Sequence, residues 1–393
     1  MGLKEKDNRF SQDDRRFMER ALELAAKGRG LVSPNPMVGA VVVRGGKVLG
    51  EGYHTRLGEP HAEVEAVRAA GGDIAGATLY VTLEPCNHVG RTPPCTPMLI
   101  EQKVARVVVA HADPNPQMAG SSFKMLRRAG IQVDSGLLEK EARRLNESFL
   151  CFHEKGRPFM IVKWAMTMDG RIAAMTGQSR WISNELSRNY VHEIRSNVDA
   201  VMVGIGTILQ DNPMLNVRLD HYHKRQPKRV IVDGNLRIPA LAKVLTATAP
   251  GDCIIATSDF APPHKVQRLR DSGHHVEVMR GRRGLIDLRQ LITRLMDYDI
   301  QSVLCEGGSN MHGSLIGARL VDKVIAFVAP KIVGGDEDKS PIMGWGVQSM
   351  QQAPTLEDIS IHHFRDDVCI EGYVPNDFQQ IPEARTRRQK AAT

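Results

Sequence analysis

Three side chains suited to holding a metal stand in two short stretches of this sequence. "PHAEVEAV" carries His61 and, two residues on, Glu63; "TLEPCNHVGRTPPC", from Thr82 to Cys95, carries Cys86 and Cys95. Two cysteines in a loop rich in Pro, Gly and Arg could form a disulfide, hold a metal or be incidental. Six cysteines in 393 residues make no disulfide scaffold, least of all in a reducing compartment, so metal ligation is the better reading. One His and two Cys leave the fourth position of a tetrahedral zinc open, as a catalytic site needs. Water held there gives up a proton near neutral pH, and Glu63 would collect that proton and return it to a leaving amine as general acid/base.

Such a site needs elements that bring distant residues together. Ser11 caps "DDRRFMERALELAAKG", whose Phe17, Ala21, Leu24 and Ala25 share one face, with Asp14 three residues after the cap. "AVVV" and "KVLGEGYH" read as a hairpin, "HAEVEAVRAAGG" as a helix closed by Gly71, "ATLYVTLEP" as a strand, and "CTPMLIEQ" as a helix opening at Cys95. Both ligand groups thus sit where a strand or loop enters a helix, and a helix N-terminus favours thiolate. "VARVVVAHADP", "SSFKMLRRAG", "IQVDSG" and "LLEKEARRLNESFLCFHEKG" continue as strand, helix, strand and one long helix, an α/β alternation ending near Gly156.

A second α/β series starts with a strand in "RPFMIVKWAMTMDGRIA" that turns at Asp169-Gly170. It continues through a helix in "NELSRNYVHEIRSN", strands in "DAVMVG", "KRVIVDG", "DCIIATS" and "HHVEVM", a helix in "LIDLRQLITRLMDY", and a strand in "QSVLCE" before "GGSNMHG". Strands run into helices through Gly204 and Gly206 and through Gly307 and Gly308, junctions whose backbone N–H groups can receive a phosphate or pyrophosphate. Neither is the dinucleotide fingerprint with three glycines. Two domains are expected, residues 1–156 and 157–376, followed by a basic, disordered tail at 377–393.

Composition narrows the class. Apolar residues make up 42% and charged residues 25%, the profile of an ordinary globular protein. No run approaches the roughly 18 apolar residues of a membrane span, so no membrane partner and a cytoplasmic setting are expected. Part of the formal charge of +7 comes from Arg385, Arg387, Arg388 and Lys390 near the end of the chain. A nucleic-acid base deaminase with that tail on the phosphate backbone is the alternative reading; aromatic residues at 5%, without a stacking stripe, argue against it. The remaining surplus suits a phosphorylated small molecule.

His-x-Glu followed by Pro-Cys is the residue set of zinc nucleobase deaminases, but here eight residues, "NHVGRTPP", separate the cysteines where the common pattern has two. With that spacing, "TLEPCNHVGRTPPC" resembles one branch residue for residue: the deaminase half of the bifunctional riboflavin-biosynthesis deaminase/reductases. Pro93-Pro94 stiffens the loop just before Cys95. The order of "KWAMTMDGRIA", "VMVGIGTILQDNP" and "VLCEGGSNMHGSLI" resembles the reductase half of the same family, and the resemblance runs from about Asp13 to about Pro375.

The resemblance implies an N-terminal cytidine-deaminase-like three-layer domain and a C-terminal dihydrofolate-reductase-like domain, one Zn2+ per chain, and NADPH. It implies deamination of a phosphoribosylamino-pyrimidine, then reduction of the ribosyl group of the resulting uracil to ribityl, with no nucleic-acid partner. A homo-oligomer is expected. Carried over to matching positions, Asn35, His54, His88 and Arg91 look like the deaminase substrate side. Ala165, Trp181, Thr207, Asp211, Gly308, Ser309, Asn310, Met311 and His312 look like the cofactor side of the reductase, and Lys163, Ser179, Arg195, Leu215, Arg218 and Glu306 its substrate side. Two arginines can hold a ribose phosphate, and Glu306 can bind sugar hydroxyls. Lys163, Thr167 and Asp169 come from the strand end that opens toward the cleft; Lys163 can bind phosphate or polarise the reacting sugar carbon. The hydride comes from the cofactor, so no single indispensable catalytic residue is expected there.

Overall fold

The computed structural model describes residues 9–380 except 89–92, 116–117, 221, 223, 248, 250, 283 and 336–338. Arg91 and residues 381–393 lie outside the described residues. Contacts divide the chain into two compact units between Gly156 and Arg157.

The first unit has strands β1 (Gly39–Arg44), β2 (Lys47–Tyr53), β3 (Thr78–Val81), β4 (Arg106–Val109) and β5 (Gln132–Ser135) in one sheet, ordered β2-β1-β3-β4-β5. β1 runs antiparallel to β2 and β3, whereas β3, β4 and β5 are parallel. Period-two alternation assigns each strand residue to a face. Ala40 and Val42 pack with α2 (Ala62–Ala69), α3 (Cys95–Glu101) and α4 (Ser121–Arg128). Val41 and Val43 pack with α1 (Gln12–Ala26) and α5 (Glu139–Leu145) on the other side. The three layers expected are therefore present. The Ser11/Asp14 capping box forms, and the Asp14 carboxylate also receives the Tyr80 hydroxyl at 2.7 Å and Arg106 at 2.6 Å, anchoring α1 to β3 and β4.

Gly50 and Gly52 let α2 lie against β2. A Cβ at Gly52 would meet Ala66 N at 2.4 Å and Ala62 O at 2.5 Å, so the hairpin fixes how deeply the helix that starts beside His61 sits. The long helix expected through residue 156 is two, α5 and α6 (Glu147–Lys155), broken at Asn146. Asn is a weak helix former whose side chain competes for backbone groups, and here it has another task, described below.

In the second unit β6 (Phe159–Thr167), β7 (Ala200–Gly204), β8 (Lys228–Val232), β9 (Cys253–Ser258) and β10 (His275–Met279) join β13 (Ser302–Cys305), β14 (Lys323–Ala329), β15 (Glu357–Phe364) and β16 (Asp367–Tyr373). Their order is β10-β9-β8-β7-β13-β6-β14-β16-β15, parallel from β10 to β14, with β16 and β15 antiparallel. A small hairpin, β11 (Gly281–Arg282) and β12 (Leu285–Ile286), stands apart.

Sheet residues are buried on both faces, as parallel strands require. Met202 and Val230 pack with α11 (Leu288–Arg294) and α12 (Ser309–Gly317), while Val201 and Ile231 pack with α8 (Ile205–Asp211), α9 (Lys243–Thr246) and α10 (Pro263–Asp271). α7 (Glu185–Arg195) carries the buried Val191 and His192. The helix expected from Leu285 starts only at Leu288, because Asp287 caps it, and tightens into a 3-10 turn from Leu295. Residues 377–380, expected as tail, fall in α13 (Asn376–Gln380), with Phe378 buried in the core.

Candidate active sites

In the first unit, His61 is the extended residue that precedes α2, and Glu63 follows inside its first turn, only 3% exposed. Beyond β3, the Thr82 hydroxyl accepts the Gly39 N–H at 3.1 Å, tying this segment to β1. The chain then turns through Pro85 and Cys86. α3 opens at Cys95, and its start is stapled to that turn: the Thr96 N–H and hydroxyl donate to the Cys86 carbonyl at 3.0 and 2.9 Å. The Cys95 N–H points at Cys86 Sγ, 3.3 Å away.

His61 Nδ1 lies 3.4 Å from each sulfur, and the three ligand atoms fall within 4.8 Å of one another. Zn–S and Zn–N bonds at tetrahedral angles place sulfur and nitrogen about 3.5 Å apart. The donor set therefore fits zinc in kind and in spacing. Hydrogen bonds from the Cys95 thiol and His61 lower the Cys86 thiol, and donating that bond raises Cys95. Burial, followed by the Cys86 charge, pushes Glu63 up to about 7.

Asn35 and His54 are brought together beside this cluster. His54 Nδ1 lies 3.1 Å from the Pro60 carbonyl, which can only accept, so Nδ1 carries the proton and Nε2 accepts from Asn35 Nδ2 at 3.1 Å. Burial lowers the His54 pKa and keeps the ring neutral. One Asn35 N–H is held by His54, which leaves its carbonyl oxygen and second N–H outside that bond. The His54 and His61 rings meet edge to face at 5.6 Å. His88 is exposed at the start of the loop.

Two residues overlooked in the sequence support this geometry. The buried Asn146 side chain accepts the Met37 N–H and donates to the Met37 carbonyl, both at 2.8 Å, locking the segment that presents Asn35. That is why the helix breaks there. Buried Glu84 accepts the N–H groups of Asp113, Gly120 and Ser122 at 2.9 to 3.1 Å and the Ser122 hydroxyl at 2.7 Å. It ties the loop after β4 to the cysteine turn. A polar residue inside an apolar helix face was the available signal for Asn146; Glu84 was hidden inside a motif read for its cysteine.

In the second unit, a cavity of about 830 Å³ lies along the C-terminal ends of β6, β7, β8 and β13. Lys163, Ala165, Ser179, Thr207, Asp211, Glu306 and the run from Gly308 to His312 line it. Gly204 N–H donates to the Gly307 carbonyl at 2.8 Å, joining the two glycine junctions. Gly307 has φ +143, a backbone that side chains avoid. The first turn of α12 leaves N–H groups without partners inside the helix, facing a glycine-lined wall.

Four residues expected at this site lie off its wall. Arg195, its side chain 12% exposed, partners Glu306 at 2.5 Å through Nε and 2.9 Å through Nη2, and its Nη1 reaches the Asn216 carbonyl at 3.0 Å. The phosphate grip expected of two arginines therefore has one of them committed inside the protein. Burial would raise Glu306, but Arg195 and Lys163 hold it at about 2. Arg218 is exposed and bonds Asn216 at 2.8 Å. Leu215 has its side chain in the core, and Trp181 is 60% exposed with Arg188 stacked on its ring at 4.4 Å. Thr167 donates to Asp169 at 2.5 Å, and the Asp169 carboxylate receives the Gly334 N–H at 2.7 Å, so this pair shapes a loop. Burial lowers Lys163, whose Nζ is 4.0 Å from Glu306. Burial also brings His312 down to about 4, with Nδ1 on the Pro341 carbonyl at 3.0 Å.

Comparison with known proteins agrees with this division. Residues 11–111 match the cytidine and deoxycytidylate deaminase zinc-binding region, and residues 158–370 match the RibD C-terminal domain. The chain is 40% identical to riboflavin biosynthesis protein RibD of Aquifex aeolicus (strain VF5) over 91% of this chain and 97% of the relative. It is 39% identical to RibD of Escherichia coli (strain K12), over 91% and 98% of the two chains. Among solved structures, RibD of Acinetobacter baumannii superposes with a TM-score of 0.83 at 36% identity, covering 93% of this chain and 99% of that one. A diaminohydroxyphosphoribosylaminopyrimidine deaminase/5-amino-6-(5-phosphoribosylamino)uracil reductase from Thermotoga maritima gives 0.80 at 38% identity, covering 92% and 99%.

Proposed function

This chain belongs to the RibD family of bifunctional riboflavin-biosynthesis deaminase/reductases, and from that premise we propose which of its residues carry each reaction. The first unit is the zinc-binding deaminase and the second the NADPH-dependent, dihydrofolate-reductase-like reductase. Membership in this family displaces the nucleic-acid alternative.

The proposed first substrate is 2,5-diamino-6-(5-phosphoribosylamino)pyrimidin-4(3H)-one. His61, Cys86 and Cys95 would hold zinc, which would supply an acidified water at its open position. Glu63, buried and raised toward neutrality, takes that proton and passes it to the amine as it leaves as ammonia. Asn35, oriented by His54, grips the polar edge of the ring; His88 joins it on the substrate side, as does Arg91 by the family resemblance alone. The observation that carries this half is the convergence of His61 Nδ1 and two sulfurs beside a buried carboxylate.

For the second half, NADPH bound here would supply the hydride; in 5-amino-6-(5-phosphoribosylamino)uracil the bond from C1′ to the ribose ring oxygen breaks, C1′ gains the hydride and the freed oxygen gains a proton from solvent, giving ribityl. Gly308 to His312, Thr207, Asp211 and Ala165 receive the cofactor, with Trp181 at the margin. Lys163 and Ser179 face the sugar, Arg218 reaches for its phosphate, and Arg195 fixes the Glu306 carboxylate while Leu215 shapes the adjoining segment. The protein's part is mainly orientation and exclusion of water. Ammonia release from the diaminopyrimidine, coupled to loss of NADPH absorbance, tests both halves; silence in either assay removes that half.

The same reading includes a cytoplasmic setting and a homo-oligomer. No helix among the described residues is long and apolar enough to cross a membrane. β15 ends its sheet with both faces exposed, Ile359 and Ile361 among them, an edge that a second copy would cover. A single-chain mass by light scattering would contradict the oligomer.

A further inference from the structure

The cavity of the second unit follows the strand order β8-β7-β13-β6. With neighbouring strands about 4.8 Å apart, its two ends are roughly 14 Å apart, the reach of an extended dinucleotide. Lys163 and Glu306 occupy the β6 and β13 end, where the reacting sugar and the nicotinamide must meet. The glycine junctions at Gly204 and Gly307 fall in the middle, where a pyrophosphate would lie. The segment after β8 forms the far end.

That far end is built around one cation. Arg237 lines the cavity, is exposed, and makes no hydrogen bond or ion pair among the described residues. It is the one arginine on the described wall. Lys163, the other cation there, is held near Glu306 at the opposite end.

Asp233 precedes the turn, and a carboxylate at the end of a strand often takes a ribose hydroxyl. Here it is fully buried and its Oδ2 accepts the Ile238 N–H at 2.8 Å, which curls the loop, so the exposed group at this end is the Arg237 guanidinium. The β11–β12 hairpin closes the opposite wall: a Cβ on Gly234 would fall 1.7 Å from the Gly284 carbonyl, so the two loops touch.

Building on the reductase reading above, we propose that Arg237 recognises the 2′-phosphate on the adenosine of NADPH and so selects it over NADH. A guanidinium offers that dianion charge and two parallel N–H bonds, while NADH presents only a hydroxyl there. The Asp233-turned loop aims the arginine at the end of the cavity where the adenosine must lie.

The test is cofactor affinity of the full chain by fluorescence titration with NADPH, NADH and 2′-AMP. Arg237→Ala is expected to weaken NADPH on the order of 10- to 100-fold, the worth of a charge-assisted phosphate contact. Its NADH affinity should not move, which also shows the site still folded, and 2′-AMP binding should be lost. Arg237→Lys should recover part of the NADPH affinity. Equal weakening of NADPH and NADH, or unchanged NADPH binding, overturns the assignment while leaving the reductase reading intact. Wild-type protein that binds neither dinucleotide overturns both.

Discussion

In the first unit the reacting groups come from side chains: an imidazole, two sulfurs and a carboxylate, delivered by a helix start, a turn and a second helix start, and packed within a few ångströms. In the second they are spread over four strand ends between Lys163 and His312, and much of the wall is backbone at glycines. The contrast follows the chemistry. Hydrolysis asks the protein itself to bind the metal and move a proton, so residue identities are narrowly constrained. Hydride transfer is the cofactor's work, so the protein supplies a long cavity whose shape many sequences could build.

If the two units work this way, damage to one should leave the other's chemistry standing. The largest effect is expected from the metal. Chelation, or Cys86→Ser, should abolish ammonia release and lower zinc content, while NADPH oxidation with the deaminated uracil is unchanged. Loss of both activities would break the comparison.

Next is Glu306→Gln, which leaves Arg195 without its carboxylate. We expect about 3–5 kcal/mol of lost stability in the second unit by denaturant unfolding, a collapse of reductase activity, and intact deamination. This carboxyl also sets a pH dependence. Its folded pKa, about 2, lies below the ordinary 4.5. Its contribution is therefore complete above about pH 4.5 and is lost as pH falls through about 2. The wild-type unit should weaken over that window, and the Gln variant should show a flatter profile; identical profiles would remove Glu306 as the cause.

The smallest effect expected is from Asn146→Ala. It removes two buried hydrogen bonds to Met37, at a cost of about 1–3 kcal/mol. KM for the diaminopyrimidine should rise through Asn35 while zinc content and kcat change less. A fall in zinc content instead would show that Asn146 supports the metal.

The same contrast explains what could be read from residue types. The zinc triad and Glu63 were legible because few arrangements of His, Glu and Cys share that spacing, and the structure brings all four together. The α/β layers were legible because strands buried on both faces stay apolar throughout. Arg195 was read as a substrate-side cation, and an arginine on a helix gives no sign that it pairs with Glu306, far along the chain. Leu215 looked like a contact residue, but its side chain belongs to the core. Asn146 and Glu84 act through main-chain groups of distant loops, contacts that no local pattern encodes. Arg237 stood in an unremarkable "NLRIP" until the strand order placed it at the cavity's end.

Glu63→Ala tests the central claim most directly, with NADPH absorbance followed on two substrates. Given the diaminopyrimidine, the variant is expected to release ammonia on the order of 10² to 10⁴ times more slowly and to consume NADPH no faster than that release. Given the deaminated uracil, it should consume NADPH at the wild-type rate. Ammonia release at the wild-type rate, or failure to reduce the supplied uracil, would contradict the account.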